Sequence, residues 1–127
     1  MKENTIAKQI VDAAFQVHQK LGPGLLESVY EKVLGYELEK RGYSIQRQKA
    51  IPIKYDKLVF DEGFRADIIV EDTVIIELKS VESIQPVHKK QLLTYLKLTD
   101  KKLGLLINFG SALIRDGIFR IVNGLPE

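Results

Sequence analysis

The apolar residues of this chain change their spacing at Gly42, and no other feature limits the fold as much. Before Gly42 they recur at the helical repeat, which predicts two helices over residues 5–21 and about 25–41. The segment Gly22-Pro23-Gly24 breaks the chain between them, and Gly42 is suited to end the second helix. After Gly42 the repeat is that of strands, so a sheet follows the two helices.

The second part of the chain predicts strands on both sides of one further helix. Pro52 marks the first strand as an edge strand or a bulge. Pro86 is a favourable first residue for a helix that runs to about residue 99. The predicted strands cover residues 43–55, 64–70, 74–80, 103–109 and 117–122. The order α-βββ-α-ββ predicts an α/β fold with a mixed central sheet flanked by helices.

The size and composition suit a single globular domain over residues 1–127, since the chain has 127 residues and 45% of them are hydrophobic. There is no cysteine, which excludes disulfides and thiolate metal sites and favours a reduced, cytoplasmic setting. No apolar run approaches the roughly 20 residues of a membrane span, so no membrane partner is expected. The net charge of +2 does not by itself predict a polyanionic partner.

Two of the predicted strands, RADIIV (65–70) and VIIELK (74–79), carry charged residues on one face only. The apolar set consists of Ala66, Ile68, Val70, Val74, Ile76 and Leu78. A three-residue connection (71–73) would place Asp67 opposite Glu77 on the other face, and it would also place Arg65 opposite Lys79. A two-residue turn would separate the carboxylates. We therefore predict a three-residue or bulged turn and a close approach of Asp67 and Glu77.

Two carboxylates at cross-strand distance repel each other, and a divalent cation removes that repulsion. Mg²⁺ or Mn²⁺ is the expected ion, because Mg²⁺ prefers one or two carboxylates and leaves room for a phosphate oxygen. In this interpretation Asp67 and Glu77 hold the metal, and Lys79 holds or helps to deprotonate the attacking water. The alternative is a solvated face with two salt bridges, Arg65–Glu77 and Asp67–Lys79. The spacing alone leaves both interpretations open.

Asp67 together with Glu77-Leu78-Lys79 resembles the D…(D/E)xK signature of the PD-(D/E)xK nuclease superfamily. The segment GPGLLESVYE (22–31) resembles the motif for which the GxxExxY family of nuclease-like proteins is named. The segments RADIIV, VIIELKSVE, PVHKKQLLTYLKLT and LGLLINFG also look like that family's, in the same order. The resemblance covers about residues 10–122. It implies a restriction-endonuclease-like core with a metal site at Asp67, Glu77 and Lys79.

The resemblance also implies two further catalytic residues, Glu27 on the first core helix and Gln91 on the helix after the ExK strand. For Glu27 the other interpretation is a favourable negative charge at a helix N-terminus. Gln91 shares a helix face with His88 and Tyr95, and this row could line a substrate groove. For His88 and Tyr95 the alternative is ordinary hydrogen bonding at the edge of the core.

The predicted substrate-binding residues are Arg65, His88, Lys90 and Tyr95. Lys90 belongs to a lysine cluster that is either a solvated helix surface or a phosphate-binding patch. The cluster consists of Lys89, Lys90, Lys97, Lys101 and Lys102.

The function expected from these residues and from the resemblance is metal-dependent hydrolysis of phosphodiester bonds in DNA or RNA. The alternative is a catalytically inactive module of the same fold that binds nucleic acid or protein. Nucleic acid is the expected partner in the first case. The amphipathic first helix also leaves a homodimer open, because it could serve a dimer as easily as its own core.

Overall fold

A computed structural model describes residues 2–126 as helices packed on both faces of one sheet. The helices are α1 (Lys2–Leu21), α2 (Glu27–Lys40) and α3 (Pro86–Thr99). The strands are β1 (Ile45–Tyr55), β2 (Leu58–Val70), β3 (Val74–Lys79), β4 (Leu103–Asn108) and β5 (Ile118–Val122). A 3₁₀ turn, Ile114–Gly117, lies between β4 and β5. The predicted α-βββ-α-ββ order is therefore confirmed.

The five strands form one mixed sheet in the order β1-β2-β3-β4-β5. Neighbours are antiparallel except β3 and β4, which run parallel and are joined through α3. A parallel pair needs a long crossover connection, and α3 supplies it. β3 and β4 are buried on both faces, which explains why β4 is apolar throughout most of its length.

The sheet separates two hydrophobic clusters. The larger cluster contains the buried stripe of α1, which includes Ile10, Ala13 and Val17, together with α2. The smaller cluster lies under α3, where Leu92 and Leu96 pack on Ile69, Ile75 and Leu106. Since α1 buries its apolar stripe in this core, that stripe is not a free dimer surface.

The predicted apolar face holds except at one position. Ile68, Val70, Val74, Ile76 and Leu78 lie in the larger cluster as predicted. Ala66 instead lies in the smaller cluster, so its assignment was wrong. The strict alternation fails because Gln48, across from this part of β2, has a φ of 49° and interrupts the β1–β2 ladder. The pairing steps from Arg47–Ile68 to Lys49–Ala66.

Two boundaries differ from the sequence prediction by several residues. α1 begins at Lys2 instead of residue 5, and β2 begins at Leu58 instead of residue 64. The extra residues of β2 pair with the end of β1 and extend that hairpin. Pro52 lies on an edge strand, and the β1–β2 register shifts between Ile51 and Ile53, so both expectations for Pro52 are confirmed. No helix within residues 2–126 is long and apolar enough to cross a membrane.

Candidate active site

The connection between β2 and β3 has the length that the carboxylate pair requires. Val70 pairs with Val74, so residues 71–73 form a three-residue turn, and the Thr73 N–H donates to the Val70 carbonyl at 2.9 Å. Glu71 and Asp72 both have positive φ, near 50°, a conformation that Asp tolerates better than most residues. The predicted turn is confirmed. Continued by one residue, this register sets Asp67 opposite Glu77.

The acidic pair, Asp67 and Glu77, lies where the β2–β3 ladder ends. The last pair of the ladder is Ile68–Ile76, after which β2 follows β1 away from β3. Side chains replace the ladder there, since the Leu78 N–H donates to Asp67 Oδ2 at 2.8 Å. The Asp67 N–H in turn approaches Glu77 Oε1 at 3.5 Å. Each carboxylate therefore contacts the backbone of the opposite strand, which fixes the two side chains against each other.

The surroundings of Glu77 favour its protonated form over a second negative charge beside Asp67. Burial raises the pKa of Glu77 to about 9, and the neighbouring Asp67 carboxylate is the second cause. The charge of Lys79 opposes this shift, which locates its amine near the pair. The pKa of Tyr95 on α3 is also raised, first by burial and then by the charges of Glu77 and Asp67. Tyr95 therefore lies close enough to interact with the acidic pair. At neutral pH the Glu77 carboxyl is thus protonated unless a cation compensates the charge.

A further acid, Glu31 of α2, is linked to the acidic pair, and the sequence analysis did not predict this link. Its carboxylate is buried, binds Arg47 at 3.0 Å, and accepts a hydrogen bond from Gln48 Nε2. The same Gln48 nitrogen lies 3.3 Å from Asp67 Oδ1. One signal was present, because Glu31 occupies the apolar stripe of α2 and therefore needs a partner. Nothing in the sequence marks Gln48, whose position depends on its left-handed backbone.

Glu27, the predicted acid on the first core helix, lies at the N-terminus of α2 on the wall of a cleft. Tyr30 fixes the loop before it, donating to the Gly22 carbonyl at 2.5 Å and accepting from the Leu25 N–H at 3.0 Å. Ser80, next to Lys79, donates to the Leu25 carbonyl at 2.7 Å. The cleft measures about 830 Å³ and is lined by residues 23–28, residues 80–82 and Gly110. Glu27 is exposed there, beside the end of the strand that carries Lys79.

Asn108 holds the backbone that follows Lys79, and it is the other functional candidate that the sequence did not predict. Its side chain is buried and pairs with Val81 in both directions, at 3.0 Å and 2.9 Å. Asn108 is also the β4 partner of Lys79. A buried amide must satisfy both its donor and its acceptor, and here it joins the ends of β3 and β4.

Arg65 does not take the position that the sequence predicted, opposite Lys79. Its guanidinium donates to Glu62 at 2.6 Å and to the Gln48 carbonyl at 2.9 Å. Within residues 2–126 neither Arg65–Glu77 nor Asp67–Lys79 is an ion pair, so the solvated salt-bridge interpretation of this face is wrong. The reason is the divergence of β2 from β3, which leaves Arg65 among the residues of the β1–β2 hairpin.

The α3 residues have different surroundings. His88 Nδ1 accepts from the Gln85 N–H at 3.0 Å and closes the helix N-terminus, while the Tyr95 ring stacks on Phe64 at 3.8 Å. Gln91, one turn before Tyr95, is exposed, and so is Lys90. Substrate contacts by these four remain predictions, as does that of Arg65. Within the lysine cluster, Lys89 covers the Phe119 ring and Lys101 binds Asp72.

The oxygens of the acidic pair suit a divalent cation. Asp67 and Glu77 offer them at one half-buried point, and Mg²⁺ takes one or two carboxylates and keeps several waters. The described part of the chain has no group of three or more His, Asp or Glu side chains placed to hold a metal. A cation here would therefore complete its shell with water or substrate oxygens.

A family model described as the PD-(D/E)XK nuclease superfamily matches residues 4–121. No curated protein matches the chain. The matched region contains every strand except the last residue of β5, and a mixed five-stranded sheet flanked by helices agrees with the restriction-endonuclease-like fold of that superfamily. Its nucleases generally use divalent metal ions. The chain belongs to the PD-(D/E)XK nuclease superfamily.

Proposed function

We propose that this protein is an active, metal-dependent nuclease that hydrolyses phosphodiester bonds in DNA or RNA. The observation that carries the proposal is the acidic pair, where burial and the Asp67 charge raise the pKa of Glu77 to about 9. Such a pair is costly to ionise without a cation and becomes favourable with one. Mg²⁺ or Mn²⁺ fits two carboxylates with open positions.

The residues of the chain then take distinct roles. Asp67 and Glu77 would hold the cation, which when bound neutralises charge on the phosphate and lowers the pKa of a water molecule. Lys79, whose amine is near the pair, orients the attacking water by a hydrogen bond. Gln91 contributes a hydrogen bond to a phosphate oxygen from the exposed face of α3. Glu27 acts from the wall of the adjoining cleft.

We further propose that the chain is a GxxExxY-type protein, with Gly24, Glu27 and Tyr30 as the motif. Three contacts support this assignment, because Tyr30 holds both sides of the loop while Ser80 ties the loop to the end of β3. The motif tyrosine thus holds the loop that leads into the motif acid, and Ser80 ties that loop to the end of β3. Gly24 has a φ of 102°, which a residue with a side chain rarely adopts.

Two further expectations belong with this proposal. A cytoplasmic setting suits a chain without cysteine. A homodimer would need a surface other than the buried stripe of α1. In this proposal residues 1–127 act as one nuclease domain.

The test is cleavage of a panel of single- and double-stranded DNA and RNA with Mn²⁺, Mg²⁺ or EDTA. Cleavage should require the cation. Lys79→Ala should lower the rate sharply and leave metal binding largely intact, whereas Glu77→Ala should abolish both. Gln91→Ala should fall between wild type and Lys79→Ala. A Lys79→Ala variant that cleaves at the wild-type rate would show the assigned mechanism to be wrong.

The competing function, an inactive module that binds nucleic acid or protein, gives a different result in the same panel. All substrates would then remain uncut, while nucleic acid bound with a steep salt dependence. Unchanged cleavage in EDTA would contradict both functions.

A further inference from the structure

The β1–β2 hairpin continues beyond the rest of the sheet as an arm, defined here as residues 52–63. Every residue of the arm is exposed except Ile53, which is partly buried. Its tip carries large apolar side chains that no element of the described chain covers. They are Tyr55, 74% exposed, Leu58, 59%, Val59, 65%, and Phe60, 50%. Exposed aromatic side chains grouped in this way mark a binding surface more often than a solvated loop.

One face of the arm continues the face that carries the acidic pair. Ile53 packs against the smaller hydrophobic cluster, which includes Phe64. Phe60 is the cross-strand partner of Ile53, and Tyr55 is two residues further along the same strand. Side chains directly opposite or two apart share a face of a sheet. Tyr55 and Phe60 therefore extend, towards the tip, the side of the sheet on which α3 and the acidic pair lie.

Unpaired lysines lie in the arm and just before it. Lys49, Lys54 and Lys57 form no ion pair with any carboxylate in residues 2–126. Lys49 pairs with Ala66, which packs under α3, so Lys49 lies between the acidic pair and the arm on the same face. Of the three acids in the arm, Glu62 is paired with Arg65, whereas Asp56 and Asp61 are unpaired among the described residues. With Lys49 included, three unpaired lysines therefore stand against two unpaired acids. Lysines interleaved with exposed aromatic rings are typical of surfaces that bind single-stranded nucleic acid.

We propose that the arm binds single-stranded nucleic acid, with Tyr55 and Phe60 stacking on unpaired bases and the nearby lysines holding phosphates. This inference rests on the nuclease function proposed above, because it names the class of substrate that reaches the acidic pair. Unpaired bases have free faces, whereas the bases of a duplex are already stacked on each other. Asp67 lies seven positions after Phe60 on β2, at most roughly 23 Å at about 3.3 Å per residue, so a strand of several nucleotides spans the two sites.

The test is equilibrium binding of labelled single-stranded DNA and RNA of about 20 nucleotides, longer than most single-domain sites, measured in EDTA. Stacking is worth about five- to 150-fold in affinity per base, so Tyr55→Leu/Phe60→Leu should raise the Kd at least about tenfold. Tyr55→Phe should bind like wild type, since the ring and not the hydroxyl stacks. Tyr36→Leu is the matched control, because Tyr36 is 61% exposed but lies on α2.

The lysines have a separate readout. Lys49→Gln/Lys57→Gln should reduce the slope of log K against log salt by about 0.7 for each phosphate that the variant no longer neutralises. The leucine variants should leave that slope unchanged. A duplex of the same sequence should bind equally to wild type and to Tyr55→Leu/Phe60→Leu.

Four outcomes would overturn the proposal. The first is that wild type does not bind single strands, and the second is that Tyr55→Leu/Phe60→Leu binds them as wild type does. The third is that Tyr36→Leu loses as much affinity as the arm variant. The fourth is that wild type forms a dimer, which the arm variant dissociates without a change in nucleic-acid binding. The last would make the tip an interface between two copies. Since binding is measured without metal, loss of binding in the arm variant supports the arm even if wild type cleaves nothing. Cleavage with no effect of the arm variant supports the nuclease and rejects the arm.

Discussion

Besides the metal binding proposed for them, Asp67 and Glu77 both contact the backbone at the point where β2 and β3 separate. Asp67 accepts the Leu78 N–H that the β2–β3 ladder no longer satisfies. Its removal would leave a buried donor without a partner, which costs about 1–3 kcal/mol. Substitutions that keep an acceptor oxygen are therefore the informative ones, and a change to Ala would mix a structural effect with a chemical one.

In the absence of metal, Glu77→Gln should become increasingly more stable than wild type as the pH rises. Burial raises the pKa of Glu77 from 4.5 to about 9, so folding takes up a proton between these values. The stability from the protonated carboxyl is complete below about pH 4.5 and is lost as pH rises to about 9. Wild type should therefore lose up to about 1.4 kcal/mol per pH unit relative to the variant. Denaturant unfolding in EDTA at pH 5 to 8 measures this difference.

A control for the pH experiment is Glu39→Gln, since Glu39 is an exposed acid on α2. Its stability should follow that of wild type across the range. A constant difference between Glu77→Gln and wild type from pH 5 to pH 8 would show that Glu77 takes up no proton on folding.

The close approach of Asp67 and Glu77 could be predicted from strand parity, whereas the spacing left their role open. Asp67 and Glu77 meet for any three-residue turn, and the apolar residues on both sides limit the register. Glu31 and Gln48 could not be placed in the same way. Their link to Asp67 depends on α2 crossing β1 and on the left-handed backbone at Gln48. A tertiary contact and a single unusual φ leave no periodic trace in a sequence.

Among the elements, the loop before α2 depends most on one side chain. Tyr30 is fully buried, stacks on Phe109 at 4.5 Å, and bonds to both Gly22 and Leu25. The loop is otherwise largely exposed, and it forms one wall of the cleft that contains Glu27. The hydroxyl of Tyr30 therefore fixes the position of that wall.

Tyr30→Phe should destabilise the protein by about 1–3 kcal/mol, because the Leu25 N–H and the Gly22 carbonyl both lose a partner while the ring stack remains. Cleavage should fall at the same time, since the loop that leads into Glu27 is no longer fixed. Denaturant unfolding and a cleavage assay measure the two effects. Tyr36→Phe, at an exposed tyrosine on the same helix, should change neither. Equal stability of Tyr30→Phe and wild type would contradict the role of the hydroxyl.

The elements themselves could be predicted where the apolar period is long. α1, α2, β3, α3 and β4 all appear within a few residues of their predicted bounds. β2 was predicted too short, because residues 58–63 contain Asp61, Glu62 and Gly63, which are typical of a loop. Pairing with β1 outweighs that local preference, since the two strands satisfy each other's backbone groups. The same pairing creates the arm, which the sequence therefore did not predict.

At the scale of the whole molecule, a cation bound only by the native state should stabilise the entire chain. The sheet carries the acidic pair at its centre, with hydrophobic clusters on both faces. The unfolded chain does not hold Asp67 near Glu77. Binding energy at this one point is therefore transmitted to global stability.

Mg²⁺ or Mn²⁺ should raise the melting temperature of wild type. At a concentration about a hundred times the Kd, the bound cation should add about 2.7 kcal/mol to the free energy of unfolding. Asp67→Asn should lose this response, yet near pH 9, where Glu77 ionises, it should be more stable than wild type without metal, because the repulsion with Glu77 is relieved while an oxygen remains for the Leu78 N–H. Thermal unfolding with and without cation measures both. The same response in Asp67→Asn and wild type would exclude a metal site at Asp67.

The crossover through α3 sets the order of events during folding. β2 and β3 join through three residues, and such hairpins close within microseconds. β3 meets β4 only after the chain from 80 to 102 has closed, which is entropically slower. We expect the two carboxylates to meet early, in water, and to lose that water when α3 docks. Because dehydration is the main cause of proton binding at Glu77, the proton should be captured in this late step, so pH should alter helix docking more than hairpin closure.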